Sequence, residues 1–252
     1  MYLGAQLFSI RTECKTEEGL YSSLKKIKDI GYDIVQVSGV CAIEAEKLLS
    51  YSEEFDLPIT CTHRPYAELM EKTEEVIKYH QTIKCPVIGL GSMPKEMRGS
   101  REGLDAFIKA MRAPLKMITD AGLTFAYHNH AFEFEKIDGK YVYDIIIEEL
   151  PELHFIHDVY WSKYAGADPL YYIDLFGKSE RMTNIHFKDM LTEPAGDICP
   201  CGKGVIDFRP LAECCRKYGI NNILVEQDNA PNLGDVFLQM KTSYESLKDI
   251  VR

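Results

Sequence analysis

Four predicted strands in the second half of the chain end in side chains that can bind a metal ion or move a proton. These are His128 and His130 at the fifth strand, Asp158 at the sixth, His186 and Lys188 at the seventh, and Glu226 and Asp228 at the eighth. A divalent cation needs such carboxylate and imidazole ligands around one opening, with positions left for the oxygens of a substrate such as a sugar. The alternative is that each is only a polar residue where a strand meets solvent. Four successive strands ending this way favour a functional site.

Alternation along each strand predicts which of these side chains lie together. Successive side chains point to opposite faces, so His128 and His130 share one face, and so do His186 and Lys188. Glu226 shares a face with Leu224. We therefore expect the four strand ends to converge on one mouth.

The elements that must position these residues alternate regularly between strand and helix. In the first unit, Leu3–Ile10 is predicted as a strand, and Thr16 can cap a helix whose first turn carries Glu17 and Glu18. Gly31 can end that helix. The local signals for strand, cap and stop therefore agree in the first unit.

Seven further units follow the same pattern. The strands are expected at Ile34–Val37, Pro58–Thr62, Val87–Leu90, Leu123–His128, Leu153–Asp158, Thr183–Phe187 and Ile223–Glu226. Helices are expected at about Ala42–Phe55, Pro65–His80 and Gly103–Ala121 with a kink at Pro114, then after Asp168-Pro169, and from Leu233 to Val251. Eight strand–helix units predict an α/β fold, a single (β/α)8 TIM barrel over residues 1–252. A doubly wound open sheet is the alternative, but no Gly-x-Gly-x-x-Gly motif follows the first strand.

Charge and composition exclude several classes of protein. The 252 residues include 29 Lys and Arg against 39 Asp and Glu, for a net charge of −10, and the pI is about 5.2. A nucleic-acid-binding surface is expected to be basic, so we predict no nucleic-acid partner. No apolar stretch is long enough to span a membrane and the first residues do not resemble a signal peptide, which predicts a cytoplasmic protein. The eight cysteines are then expected as reduced thiols, including the close pair Cys199 and Cys201.

Several segments together resemble one known family. They are Tyr127–Phe134 (YHNHAFEF), Asp158–Trp161 (DVYW), Ile185–Asp189 (IHFKD), Gly202–Asp207 (GKGVID) and Val225–Asp228 (VEQD). The chain is similar over essentially its whole length to the sugar phosphate isomerase/epimerase family of the xylose isomerase-like TIM barrel superfamily. That superfamily also contains inosose dehydratases and endonuclease IV. The resemblance implies one divalent metal ion (Mn, Mg or Zn), a small sugar or cyclitol substrate, and often a homo-oligomer.

The resemblance also implies roles for individual residues. Asp158, His186 and Glu226 would be metal ligands, together with a glutamate from the fifth strand. This chain has His128 at the end of that strand, and Glu133 is the nearest acid, so Glu133 is expected to replace it as the fourth ligand. His128 and Glu226 would then move protons next to a carbonyl.

Other residues have two interpretations each. Arg11 can bind a phosphate or carboxylate of the substrate, or belong to a surface ion pair. Lys188 can stabilise an enediolate, or form an internal ion pair with Asp158 or Glu226. Trp161, the only tryptophan, can stack on a sugar or pack against a helix.

Three further positions complete the candidate pocket. His63 and His130 are expected to contact substrate. The segment with Gly202 and Gly204 is expected either as a loop over the mouth or as a plain turn.

We consider two classes of function. The first is a metal-dependent isomerase, epimerase or lyase acting on a sugar, keto-sugar, sugar phosphate or cyclitol. The lyase form would be a dehydratase of the inosose type or an enzyme acting on a keto-glycoside. The second is a non-catalytic carbohydrate-binding barrel that kept the fold without the chemistry. Endonuclease IV chemistry is excluded, because it needs more metal ligands and a basic DNA-binding face.

Overall fold

Twelve β-strands occur along the chain in a computed structural model that describes residues 1–252. They are β1 (Tyr2–Gln6), β2 (Ile34–Val37), β3 (Ile59–Arg64), β4 (Val87–Leu90), β5 (Thr124–His128), β6 (Lys136–Ile137), β7 (Lys140–Tyr141), β8 (His154–Asp158), β9 (Met182–Phe187), β10 (Asp189–Met190), β11 (Ile198–Cys199) and β12 (Asn222–Val225). Eight of them close into one parallel barrel in the order β1-β12-β9-β8-β5-β4-β3-β2. The expected (β/α)8 barrel is confirmed. The strands β6–β7 and β10–β11 form two separate antiparallel pairs.

Ten α-helices accompany the barrel. They are α1 (Glu17–Ile30), α2 (Ala45–Glu54), α3 (Tyr66–Glu71), α4 (Thr73–Thr82), α5 (Arg101–Asp120), α6 (Val142–Glu149), α7 (Val159–Tyr164), α8 (Pro169–Lys178), α9 (Phe208–Lys217) and α10 (Val236–Val251). The predicted caps are confirmed at two of them. The Thr16 hydroxyl accepts from the Gly19 N–H at the start of α1, and the Asp168 carboxylate accepts from the Leu170 N–H at the start of α8. Gly31 ends α1 at φ +116°, a conformation that favours glycine.

Two sequence predictions of element boundaries are wrong for local reasons. The first strand ends at Gln6, because the Gln6 side chain accepts from the Phe8 N–H and starts a 3₁₀ turn over Leu7–Ile10. The single helix expected over Pro65–His80 is divided into α3 and α4 at Lys72, whose φ of −133° is not helical. Helix α5, in contrast, continues through Pro114.

The alternation of β5 shows how the barrel presents its site. Phe125 and Tyr127 face outwards and belong to the buried cluster that also contains Phe107 of α5. Ala126 instead faces inwards, in a small apolar layer with Cys61, Val87 and Ile156. His128, two residues further along, therefore lies above this layer at the carboxyl end of the barrel, where TIM barrels carry their active sites.

Two further expectations concern the whole chain. None of the helices combines the length and the apolar character needed to cross a membrane. All eight cysteines are free thiols, and Cys199 and Cys201 are both buried.

Candidate active site

Four buried side chains at the carboxyl end of the barrel form a group of metal-ligand type. They are His128, Asp158, His186 and Glu226, whose ligand atoms all lie within 4.8 Å of one another. His128 Nε2 lies 3.4 Å from Asp158 Oδ2 and 3.8 Å from Glu226 Oε2. His186 Nδ1 lies 2.9 Å from Glu226 Oε2 and 3.9 Å from Asp158 Oδ2. Three residues expected as ligands, Asp158, His186 and Glu226, are thus brought together.

The outer nitrogen of each imidazole is hydrogen-bonded to an acceptor. His128 Nδ1–H donates to the Gly91 carbonyl at 3.2 Å, and His186 Nε2–H donates to Gln36 Oε1 at 2.7 Å. In the neutral ring, the inner nitrogen then carries a lone pair. His128 Nε2 and His186 Nδ1 then face the Asp158 and Glu226 oxygens at 2.9 to 3.9 Å, with lone pairs available to a cation. The donor set therefore fits a metal ion, with the outer hydrogen bonds orienting the rings as in many metal sites.

Asp158 is oriented by the backbone of the following helix. Its Oδ1 accepts from the Tyr160 N–H at 2.9 Å and the Trp161 N–H at 3.1 Å, so it caps α7. The Asn129 side chain also holds the Asp158 backbone, accepting from its N–H at 2.9 Å. These contacts leave Oδ2 directed towards the two imidazoles.

Lys188 is a buried cation beside the four-residue group. Its Nζ lies 2.8 Å from Asp158 Oδ2, 2.8 Å from Glu226 Oε2 and 3.1 Å from Asp228 Oδ2. Burial alone would lower the pKa of Lys188, but the three carboxylates outweigh it and raise that pKa well above its usual value. Lys188 therefore forms the internal ion pairs considered from the sequence, and it also lines the cavity described below. One ammonium cannot balance three carboxylates, so the site keeps negative charge.

The charges within the group set the protonation of its members. Burial would raise the pKa of both Asp158 and Glu226, but the Lys188 ammonium and the neighbouring imidazoles lower them, so both are ionised. Burial lowers the pKa of His186 despite the Glu226 carboxylate. Burial also acts to lower the pKa of His128, but the nearby Asp158 and Glu226 carboxylates raise it overall.

A cavity of about 360 Å³ opens above the group. Its polar lining includes His63, His128, His130, Lys188, Glu226 and Asp228. The ring of His63 lies 5.2 Å from that of His128, and burial lowers the pKa of His63 well below its usual value. His63 Nε2 and His130 Nδ1 are both buried without a hydrogen-bond partner. Burial lowers the pKa of His130 to about 3.

Glu133 does not belong to the ligand group, contrary to the role expected for it. Its carboxylate accepts from the Tyr127 hydroxyl at 2.5 Å and from the His130 N–H at 2.7 Å, beneath the loop that follows β5. Burial raises the pKa of Glu133 to about 7. His128, not Glu133, joins the four-residue group from β5, because it ends the strand on the inward face.

Arg11 and Trp161 do not line the 360 Å³ cavity. Arg11 Nη1 donates to the Phe8 and Asp228 carbonyls at 2.8 and 3.0 Å, which ties the segment after β1 to the segment after β12. Trp161 packs beside the site, with its ring 5.5 Å from that of His130 and 5.3 Å from Lys188 Nζ. Both residues are thus placed to support residues of the cavity wall.

The segment with Gly202 and Gly204 forms a turn tied to a buried carboxylate. Asp189 accepts from the N–H groups of Met190, Gly202, Gly204 and Ile206 at 2.8 to 3.1 Å. Four backbone donors to one side chain hold this segment against β10, which agrees with the plain turn considered from the sequence.

Sequence reasoning missed Gln36 and Gly91, which orient the two imidazoles. Gln36 is the only polar residue of β2 and is fully buried. A lone amide within an apolar strand is the signal that could have identified it. Gly91 acts through its carbonyl, so its residue type carries no signal.

A model of one protein family matches most of the chain. The model for the xylose isomerase-like TIM barrel matches residues 24–249. The chain belongs to this family. A solved sugar phosphate isomerase/epimerase from Parabacteroides distasonis ATCC 8503 is similar in structure, with a TM-score of 0.82, 19% identity and all of both chains covered.

Two other solved structures share the fold at lower identity. The IolI protein, with a zinc atom, has a TM-score of 0.77 and 13% identity, over 100% of this chain and 98% of that one. An L-ribulose 3-epimerase has a TM-score of 0.76 and 13% identity, over 99% and 94% of the two chains. At these identities the likeness shows the fold alone. A search of curated proteins finds no match.

Proposed function

We propose that this protein is a metal-dependent isomerase or epimerase that moves a proton next to the carbonyl of a sugar, keto-sugar or sugar phosphate. The carrying observation is the pair of imidazoles that turn lone pairs towards Asp158 and Glu226 on the cavity floor. The similar barrels named isomerase, epimerase or IolI support the class, and the zinc atom of IolI supports metal binding.

His128, Asp158, His186 and Glu226 would hold one divalent ion. Two nitrogen and two oxygen donors suit Zn or Mn better than Mg, which prefers oxygen ligands alone. When bound, such an ion polarises a substrate carbonyl and stabilises negative charge that develops on its oxygen. The three carboxylates around Lys188 leave net negative charge, which favours a metal cation held by the ligand group.

The residues outside the ligand group would do the rest of the chemistry. The Lys188 ammonium, held by three carboxylates at the cavity wall, supplies positive charge that stabilises the negative charge developing on the substrate oxygen. His130 lines the cavity together with His128, and its Nδ1 has no hydrogen-bond partner. We therefore assign proton transfer to His130. His63 would bind a substrate hydroxyl through its free Nε2. His128, expected as the base from its position, serves here as a ligand.

A lyase that removes water or a glycosidic group is the second candidate. An epimerase of the two-glutamate type needs a carboxylate on each face of the reacting carbon. The ligand group contains one glutamate, Glu226, and Glu133 is hydrogen-bonded elsewhere. A β-elimination needs one base and one acid, and it does not need a second glutamate.

Two measurements test the proposal. Calorimetric titration of metal-free protein with Mn²⁺ and Zn²⁺ should show one site, and His186→Ala should lose it while keeping the circular dichroism spectrum. Keto-sugars and inososes are then incubated in D₂O with the metal-loaded protein, and NMR follows deuterium entering at the carbon next to the carbonyl. A well-folded protein that binds neither metal would contradict the ligand assignment. A metal-loaded protein that binds sugars but exchanges no proton would support the non-catalytic barrel.

A further inference from the structure

A second cavity lies directly beside the one above the ligand group. It has a volume of about 400 Å³ and is formed by the segment after β2, the end of β3 and residues of α3 and α4. Ser38, His63, Arg64 and Pro65 line both cavities. Each cavity alone falls in the range of roughly 300 to 1,000 Å³ typical of ligand pockets. The two together exceed what one small sugar needs.

One wall of the second cavity is apolar, and it is formed by Val40, Cys41, Ile43 and the ring of Tyr79. Thr62, Arg64 and Glu68 make the opposite part of the lining polar. The Tyr79 hydroxyl donates to the Ile43 carbonyl at 3.2 Å, which holds the ring in place. A rigid apolar wall suits a flat apolar ring better than a second polyol.

The one cation of this cavity is already neutralised. Arg64 is paired with the Glu68 carboxylate, and its guanidinium lies 5.2 Å from the centre of the Tyr79 ring. Glu68 lines the same cavity, so an anionic group would meet a carboxylate together with the guanidinium. A phosphate is therefore a poor occupant, and a neutral group is favoured.

We propose that the substrate is a glycoside whose sugar carries a keto group, with that sugar above the ligand group and a neutral, apolar aglycone in the second cavity. This inference rests on the proposed function for the position of the sugar. The shared residues Ser38 and His63 lie where the bond between the two parts of the substrate would pass. Specificity for the aglycone then belongs to the segment after β2, separate from the metal ligands.

Cys41 provides a direct reporter of this cavity. Cys41 and Cys214 are half-buried and the other six cysteines are buried, so Cys214 is an internal control remote from the cavity. The protein with Mn²⁺ is treated with iodoacetamide at alkaline pH, because the thiolate is the reactive form. Mass spectrometry follows both sites with phenyl or methyl β-glycosides of glucose, galactose and xylose. At equal concentrations, at least one phenyl glycoside should slow Cys41 alkylation about fivefold or more, given the apolar area it buries, while its methyl partner and the rate at Cys214 change little.

A variant that fills the cavity supplies the second test. Ala42 is exposed on the cavity wall, so Ala42→Trp should fold normally. Its Kd for the phenyl glycoside should rise to that of the methyl glycoside, with Mn²⁺ binding unchanged. Glu46→Trp, on the first turn of α2 and outside both cavities, should behave as wild type.

The outcomes separate this inference from the proposed function. Equal effects of phenyl and methyl glycosides on Cys41, or a phenyl preference that survives in Ala42→Trp, would overturn the glycoside assignment even if Mn²⁺ binds. Protection of Cys41 by a phenyl glycoside in a protein that binds no metal would support the apolar cavity and overturn the metal-dependent function.

Discussion

His128 Nε2 lies 3.4 Å from Asp158 Oδ2, while Nδ1–H of the same ring donates to the Gly91 carbonyl. The backbone carbonyl is only an acceptor, so the neutral ring directs its lone pair at a carboxylate. This relationship makes His128 a metal ligand in our proposal and leaves proton transfer to another group. It also gives different roles to His128 and His130, which are two residues apart in the chain.

We expect His128→Ala and His130→Ala to fail in different ways. His128→Ala should weaken Mn²⁺ binding by about 100-fold or more, because a ligand matters at least as much as the groups that orient ligands. His130→Ala should keep the metal and lose on the order of 10²-fold in turnover, the usual scale for general acid–base catalysis. Calorimetry and turnover on the substrate found by deuterium exchange measure the two effects. If His128→Ala keeps the metal and loses turnover, while His130→Ala is fully active, then His128 is the base.

Gln36→Met should weaken metal binding even though Gln36 is not one of the proposed ligands. The amide oxygen of Gln36 accepts from His186 Nε2–H, so its loss frees the ring to rotate. The expected loss is about 10- to 100-fold in metal affinity, with the melting temperature of the metal-free protein as the control for folding. Unchanged affinity in a folded variant would show that His186 needs no such support.

Lys188→Met should destabilise the metal-free protein. The change leaves Asp158 and Glu226 buried without their shared ammonium, which is expected to lower the free energy of unfolding by about 3 to 5 kcal/mol in EDTA. Mn²⁺ should restore part of the loss, since it pairs with the same oxygens. Lys25→Met, which breaks the exposed pair with Asp29, should cost about 1 kcal/mol or less. Urea titrations measure the free energy of unfolding of Lys188→Met in EDTA, of Lys188→Met with Mn²⁺ and of Lys25→Met. Equal losses of stability in the two variants would refute the importance of the buried pairs.

Glu133 should make stability fall as pH rises towards neutrality. Its folded-state pKa is raised to about 7, so between pH ~4.5 and ~7 the folded protein holds a proton that the unfolded chain has released. Stability from this group is therefore present at low pH and is lost through this window. Glu133→Gln should remove that part of the slope, as measured by urea unfolding at pH 5, 6 and 7. Parallel slopes for wild type and Glu133→Gln would mean that Glu133 is already ionised at pH 5.

The information that the sequence carries by itself is local. Strand alternation correctly placed His186, Lys188 and Glu226 on the inward side of one mouth, because a period of two depends only on neighbouring residues. The cap at Thr16 and the stop at Gly31 were predictable for the same reason. The eight-fold alternation of strands and helices was likewise sufficient to predict the barrel.

Tertiary structure alone decided which atoms these side chains turn towards one another. Gln36 and His186 are 150 residues apart in the chain, and only closure of the barrel brings them within 2.7 Å. Glu133 is close to the fifth strand in sequence, yet the path of its loop directs the carboxylate to Tyr127 and the His130 N–H. Ring orientation and loop path depend on hydrogen-bond partners from distant segments. No periodicity along the chain contains that information, so the sequence could not predict that His128 and not Glu133 joins the four-residue group.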